Sequence, residues 1–411
     1  MKKYLFLALG VAALTSCSSD EVTELNQGNE IKFSVVADND SRAANIYCNN
    51  NKMTSFTVYA NVGTTDFITN EEFTEENGVF VSNESKRYWP EYDAVDFYAF
   101  QNLNGTFNWS AGSTPTVTGY TPETTISEQK DFVYATETDE TKPANGTLGI
   151  NFRHALSQIE FQAKNENPDL WVEILDVKVG NAKSVGNFTF ASESTKDVIV
   201  DHDQTGTTTP TDGTSRGSWD AWVAGATTNY DYTIGTEFGE AIPVAYTTVE
   251  NDKIVKLSIN TTIDEASPDY ENGYAKSMLL LPQTTVAWTT AAKTGTYLAV
   301  KCRIWNIVDG DESKKVLLYG DANNNNQVDE GEGRWASVPV KFEWEPGKKY
   351  VYTFNFTNGG NAGYEDDTNG DPKETAVLIP MSLTFTVDDF QVGENSTENM
   401  ETVPVQQDPN P

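Results

Sequence analysis

Histidine is almost missing from this chain, with two in 411 residues, and cysteine is little commoner, with three. Basic charge is scarce as well: 28 Lys and Arg stand against 61 Asp and Glu, a formal net charge of -33. A surface so acidic is repelled by phosphate backbones and anionic lipid, which argues against nucleic-acid binding. It suits a hydrated exterior that attracts divalent cations. Convincing helical periodicity is nearly absent. There is no Gly-rich phosphate loop, no His-x-x-x-His pair and no Gly-x-Ser-x-Gly elbow. His154 reads as a packed hydrogen-bonding residue, and His202 has no cysteine or second histidine close in sequence. Carboxylates are so abundant that any two would pass for an acid/base pair. The chain does not read as an enzyme.

The apolar run Tyr4 to Leu14 follows Lys2 and Lys3 and falls short of the roughly 20 apolar residues a spanning helix needs. It fits a secretory signal, residues 1–16. Leu14-Thr15-Ser16-Cys17 resembles a bacterial lipobox, in which the cysteine thiol is acylated and anchors the mature chain. The alternative is an ordinary signal with a chance cysteine. Ser18-Ser19-Asp20-Glu21 resembles the surface-export signal of Bacteroidetes lipoproteins. Cys48 and Cys302 remain, either paired in an oxidising compartment or buried as small apolar residues.

Aromatics at 11% and hydrophobics at 38% suffice for real cores, and their pattern alternates with period two. Ile31, Phe33 and Val35 mark a first strand. Phe56–Ala60, Val95–Phe100, Leu148–Phe152, Ile159–Ala163 and Val172–Val179 follow, then Ile254–Ile259, Ser277–Leu281, Tyr297–Ile304, Tyr350–Phe356 and Ser382–Phe390. Asn77-Gly78, Asn104-Gly105, Asn145-Gly146, Asn272-Gly273 and Pro346-Gly347 supply turn chemistry between them. Many short strands at this spacing read as an all-β chain of β-sandwiches. The polar stretch Lys164–Asp169, with Pro168, divides a first unit, 43–167, from a larger second, 168–393. Thr205–Gly217 reads as a surface loop, Asn358–Glu374 as a second polar stretch, and 394–411 as a flexible acidic tail.

Several patterns in order along 29–393 resemble the fimbrillin-like lipoproteins of Bacteroidetes, the subunits of type V pili. They are Tyr88-Trp89-Pro90 before the strand Val95–Phe100, Phe152-Arg153-His154-Ala155-Leu156-Ser157-Gln158-Ile159, Trp344-Glu345-Pro346-Gly347 leading into Tyr350–Tyr352, and Leu383–Phe390. Ser41-Arg42-Ala43 is similar to that family's processing segment. The resemblance implies two tandem transthyretin-like Greek-key β-sandwich domains. It also implies an adhesive fimbrial subunit on the outer membrane, with other pilus subunits as partners and a host or bacterial surface ligand. Phe390 stands where the family's terminal strand commonly ends on Trp.

Cleavage between Arg42 and Ala43 would free the segment 17–42 and with it Ile31, Phe33 and Val35. The open edge left behind is one that folded proteins avoid, and a neighbour's strand can fill it by β-augmentation. Leu383, Phe385 and Val387 repeat the spacing of the lost strand and are the expected donor. The alternative is that Arg42 is an ordinary loop residue. No cofactor is required, but Asp321, Asn323, Asn325, Gln327, Asp329 and Glu332 have the spacing of an EF-hand-like loop, so Ca²⁺ is a candidate ligand. Asn326 holds the position where that loop usually has Gly, and the rival reading is an Asn-rich acidic hairpin. A different class of function is a surface glycan-binding lipoprotein. It would rest on exposed indoles among the nine tryptophans, with Trp219 and Trp222 the best candidates.

Overall fold

The computed structural model describes residues 30–37, 53–144, 146–194, 216–220, 226–233, 241–249, 253–257, 277–321, 332–366, 372–389 and 402–404. These residues form strands, with a single 3-10 turn at Ile126–Glu128 and no α-helix among them. The protein is all-β, as the alternation predicts.

The first unit holds β1 (Lys32–Ala37), β2 (Ser55–Val62), β3 (Thr65–Glu76), β4 (Val79–Ser82) and β5 (Val95–Gln101). After β6 (Thr106–Asn108) and β7 (Thr116–Tyr120) come β8 (Val133–Glu140) and β9 (Thr147–His154). Hydrogen bonding in the order β1-β4-β3-β2-β5-β8-β9 closes this sheet on itself as a barrel. Its interior is built by alternate residues: Phe56, Val58 and Ala60 from β2, Val95, Phe97 and Ala99 from β5, Leu148, Ile150 and Phe152 from β9. At the β3–β4 turn Asn77 and Gly78 adopt φ of 54° and 85°, the left-handed pair that suits a two-residue hairpin.

The chain leaves the barrel at His154 and enters the second sheet at once, through β10 (Ser157–Asn165). The change of sheet thus lies upstream of the polar Lys164–Asp169 stretch. That stretch turns the chain within the second unit, because β10 pairs in parallel with β21 (Lys348–Asp366) from Gln158↔Lys349 to Asn165↔Phe356. The other strands of this sheet are β11 (Leu170–Lys183), β14 (Thr227–Thr233), β15 (Ile242–Val244), β16 (Val255–Lys256), β17 (Met278–Leu280) and β18 (Tyr297–Val308). It is completed by β19 (Asp311–Tyr319), β20 (Arg334–Pro339), β22 (Pro372–Asp389) and β23 (Thr402–Pro404). The path runs β14-β11-β18-β20-β21-β10-β16. Ile159, Phe161, Val172, Ile174, Val300, Ile304, Tyr352 and Phe354 belong to its single large core.

A small third sheet crosses between the two units. In it β12 (Gly186–Thr189) and β13 (Ser218–Asp220), from the second half of the chain, join β7 and β6 of the first. An aromatic layer of Tyr98, Tyr120, Phe132, Tyr134, Phe188 and Phe190 fills the space beneath it. Residues 205–215 of the Thr/Gly-rich stretch lie outside the described residues, as does the 394–411 tail apart from β23.

Candidate functional site

The strand expected to be removable is the one that closes the barrel. On one side β1 pairs in parallel with β9 over six positions, Lys32↔Thr147 to Ala37↔Phe152. On the other it meets β4 antiparallel at a single pair, Phe33↔Phe80. Ile31 and Phe33 are fully buried, and Val35 packs against the same core from a half-buried position. Lys32 and Ser34, in the alternate positions, are less deeply covered. Burial of three such side chains contributes on the order of 5 kcal/mol, at about 1.5–3 for each one fully covered.

Phe33 lies at the centre. Its ring meets Phe73 at 5.0 Å, Phe97 at 5.4 Å and Phe56 at 5.8 Å, each edge-to-face. These rings come from β3, β5 and β2. Below the N-terminal end of β1, Ile31 donates its N–H to the Arg87 carbonyl at 2.7 Å, and Glu30 bridges to Tyr88. The Arg87 side chain turns inward, with Nε 2.7 Å from Glu71 Oε2, while Ser82 donates to the other carboxylate oxygen. Glu71 is 1% exposed, so its charge is compensated inside the barrel wall. Its hydrogen bond in turn holds the Arg87 guanidinium above its ordinary pKa, against the opposing effect of burial.

The expected donor residues belong to β22. Its backbone pairs antiparallel with β21, with Leu383 opposite Phe354, Phe385 opposite Tyr352 and Val387 opposite Tyr350. β23 lies on the other edge, along Thr384–Thr386. Cys17, Arg42, Ala43, Cys48 and Trp222 lie outside the described residues. Of the calcium-like loop, Asp321 and Glu332 are described, and Arg303 Nε donates to the Glu332 carbonyl at 2.5 Å. Asn323, Asn325, Gln327 and Asp329 fall outside the described residues, among which no group of metal ligands occurs. Cys302 is a buried free thiol in the second core, its pKa pushed up to about 12 by complete burial.

Two histidine and tryptophan expectations can be checked directly. His154 is a packed, bonded residue, its Nδ1 2.7 Å from Asp131 Oδ2. Trp219 is not an exposed platform: its ring packs on Phe188 and Tyr120, and its Nε1 donates to the Ala155 carbonyl at 2.6 Å. None of the eight described tryptophans is exposed, so no pair of exposed indoles stands on the described surface. Sequence reasoning did not find Phe73 or Glu71. β3 reads as polar, and only its inward residues would have signalled a wall of this site.

A model of the fimbrillin-like family matches residues 23–371 of the chain. Among solved structures, a fimbrial protein from Bacteroides vulgatus aligns with a TM-score of 0.51 at 14% identity, covering 88% of this chain and 99% of that one. A fimbrilin from Porphyromonas gingivalis aligns at 13% identity over 89% of this chain and 98% of that one, with a TM-score of 0.36. A search of curated proteins finds no match. With a family model covering most of its length, the chain belongs to the fimbrillin-like family.

Proposed function

We infer that this protein is a structural subunit of a cell-surface fimbria, exported as a lipoprotein through Cys17 and assembled with other subunits by strand exchange. The observation that carries the reading is the asymmetric seating of β1. Six parallel pairs to β9 and a single ladder pair to β4 close a barrel whose other strands also join one another directly. Arg42 follows the end of β1 closely in sequence. Cleavage there separates the closing strand from the rest of the chain, and its departure leaves a long apolar groove flanked by unpaired backbone groups. A strand from a neighbouring subunit fills it by augmentation. Leu383, Phe385 and Val387 offer the matching alternation. In this reading the two cores correspond to two tandem transthyretin-like units, adhesion is carried at the outer-membrane surface, and catalysis plays no part.

The test is digestion of unlipidated protein with an arginine-specific protease, followed by N-terminal sequencing and an unboiled denaturing gel. A new terminus at Ala43 with a ladder of detergent-resistant multimers is the expected result. A chain that resists cutting at Arg42 and stays monomeric overturns the exchange mechanism.

A further inference from the structure

The position of Phe33 is more selective than a greasy slot requires. Three phenylalanines from three strands other than β1 present ring edges or faces to it, at interplanar angles of 64°, 71° and 86°. Edge-to-face packing rewards a ring over an aliphatic chain of similar volume. Two residues away on either side, the slot takes the branched aliphatics Ile31 and Val35. A shift of one residue would drive Lys32 or Ser34 inward, so the register is fixed by the alternation itself. Direction is fixed by β9, which supplies six pairs with the slanted bonding of a parallel ladder. The single pair to β4 gives little resistance to a strand that satisfies β9.

We propose that the cage of Phe56, Phe73 and Phe97 is the specificity pocket of this slot. It admits a replacing strand that carries an aromatic ring between two branched aliphatic residues at alternate positions and runs parallel to β9. The inference rests on the strand-exchange reading and adds to it the chemistry of the acceptable partner. The chain's own Leu383-Thr384-Phe385-Thr386-Val387 meets the requirement, so a second copy of this chain qualifies. A subunit with an aliphatic residue at the central position fits the cage less well.

The experiment uses the full-length chain carrying Phe33→Ala, cut after Arg42, to which fluorescent peptides spanning residues 380–389 are added. The peptides carry Phe385, F385L or F385A, and a fourth has the same residues shuffled so that Leu, Phe and Val no longer alternate. Binding is read by anisotropy and by protection of the amides of Leu148–Phe152 from hydrogen exchange. The F385A peptide is expected to bind roughly a hundredfold more weakly than the parent, and F385L about twofold to tenfold more weakly. The shuffled peptide should leave the β9 amides unprotected. Equal binding of the Phe, Leu and Ala peptides overturns the pocket while leaving exchange intact. If no peptide enters and the cut β1 stays protected, the exchange reading falls. In that event the uncut Phe33→Leu and Phe33→Ala chains still judge the cage, and equal melting temperatures for F33L and the parent would overturn it.

Discussion

His154 Nδ1 lies 2.7 Å from Asp131 Oδ2, with the carboxylate wholly buried and the imidazole one-fifth exposed. The pair stands where the barrel hands the chain to the second sheet. His154 is the register partner of Val133, Ala155 donates to the Phe132 carbonyl at 2.9 Å, and Gly347 donates to the Leu156 carbonyl at 2.9 Å. Because water reaches one partner and not the other, the two are not equivalent. His154→Ala takes a donor away from a buried carboxylate and should lower stability by about 2–3 kcal/mol. Asp131→Asn keeps an oxygen facing the ring and should lose about 1 kcal/mol. Chemical denaturation of both variants at neutral pH decides this, and a larger loss from D131N would refute the argument.

Trp219 is held at the same junction by its own hydrogen bond and by three aromatic neighbours, Phe188 at 5.1 Å, Tyr120 at 5.3 Å and Phe132 at 6.4 Å. It projects from β13, opposite Phe188 of β12, and so fastens the small bridging sheet to the end of β9. Trp219→Phe should cost about 1 kcal/mol through the lost bond, and Trp219→Ala about 3 kcal/mol or more through lost packing. Thermal melts measure both. A sugar platform would behave differently, since W219F would then leave the melting temperature unchanged.

How much of this could be read beforehand depends on what alternation reports. It reveals which face of a strand is buried, so Phe56–Ala60, Val95–Phe100 and Leu148–Phe152 were legible, as was the buried face of Ile31, Phe33 and Val35. It does not reveal which strands are neighbours. The three rings around Phe33 come from β2, β3 and β5, whereas β1 pairs with β4 and β9, and the parallel pairing of β10 with β21 joins segments nearly 200 residues apart. β3 escaped notice because Ile68, Glu71 and Phe73 are its buried residues, one of them a carboxylate that Arg87 and Ser82, on other segments, make tolerable. β19 escaped for the opposite reason: it opens on the charged stretch Asp311–Lys315, and of the apolar residues that follow, Val316 and Leu318 are exposed, so no buried face alternates along it.

Burial also sets an alkaline limit. The phenols of Tyr98 and Tyr350 are each raised from 10.0 to about 12, chiefly by desolvation. The Cys302 thiol is raised from 9.0 to about 12 by the same cause. All three stay protonated in the native protein at a pH where the unfolded chain ionises. A raised native pKa gives stability that is complete below the unfolded value and is lost as pH climbs towards the native one. Stability should therefore hold up to about pH 9 and fall between there and about pH 12. Denaturant midpoints across that range, with tyrosine ionisation followed by absorbance, provide the check. Tyr98→Phe should make the decline shallower, and an unchanged slope would remove Tyr98 from the account.

Gly180 in β11 sits opposite Tyr297 in β18, and the buried phenol ring lies flat across it. A Cβ at Gly180 would fall 2.0 Å from Tyr297 Cζ and 2.3 Å from both Cε atoms. The neighbour is the phenol end of a rigid ring in a packed layer with Trp288 and Ala299, so it cannot yield as the tip of a flexible chain would. Gly180→Ala should therefore cost about 1–3 kcal/mol as overpacking, although alanine suits a strand better than glycine does. Tyr297→Ala alone should cost about 3–5 kcal/mol as a cavity. Once the ring is gone the clash goes with it, so adding G180A to Y297A should be neutral or stabilising. The double-mutant cycle isolates this coupling. If G180A destabilised both backgrounds equally, the absent side chain at position 180 would have to answer to some other neighbour than Tyr297.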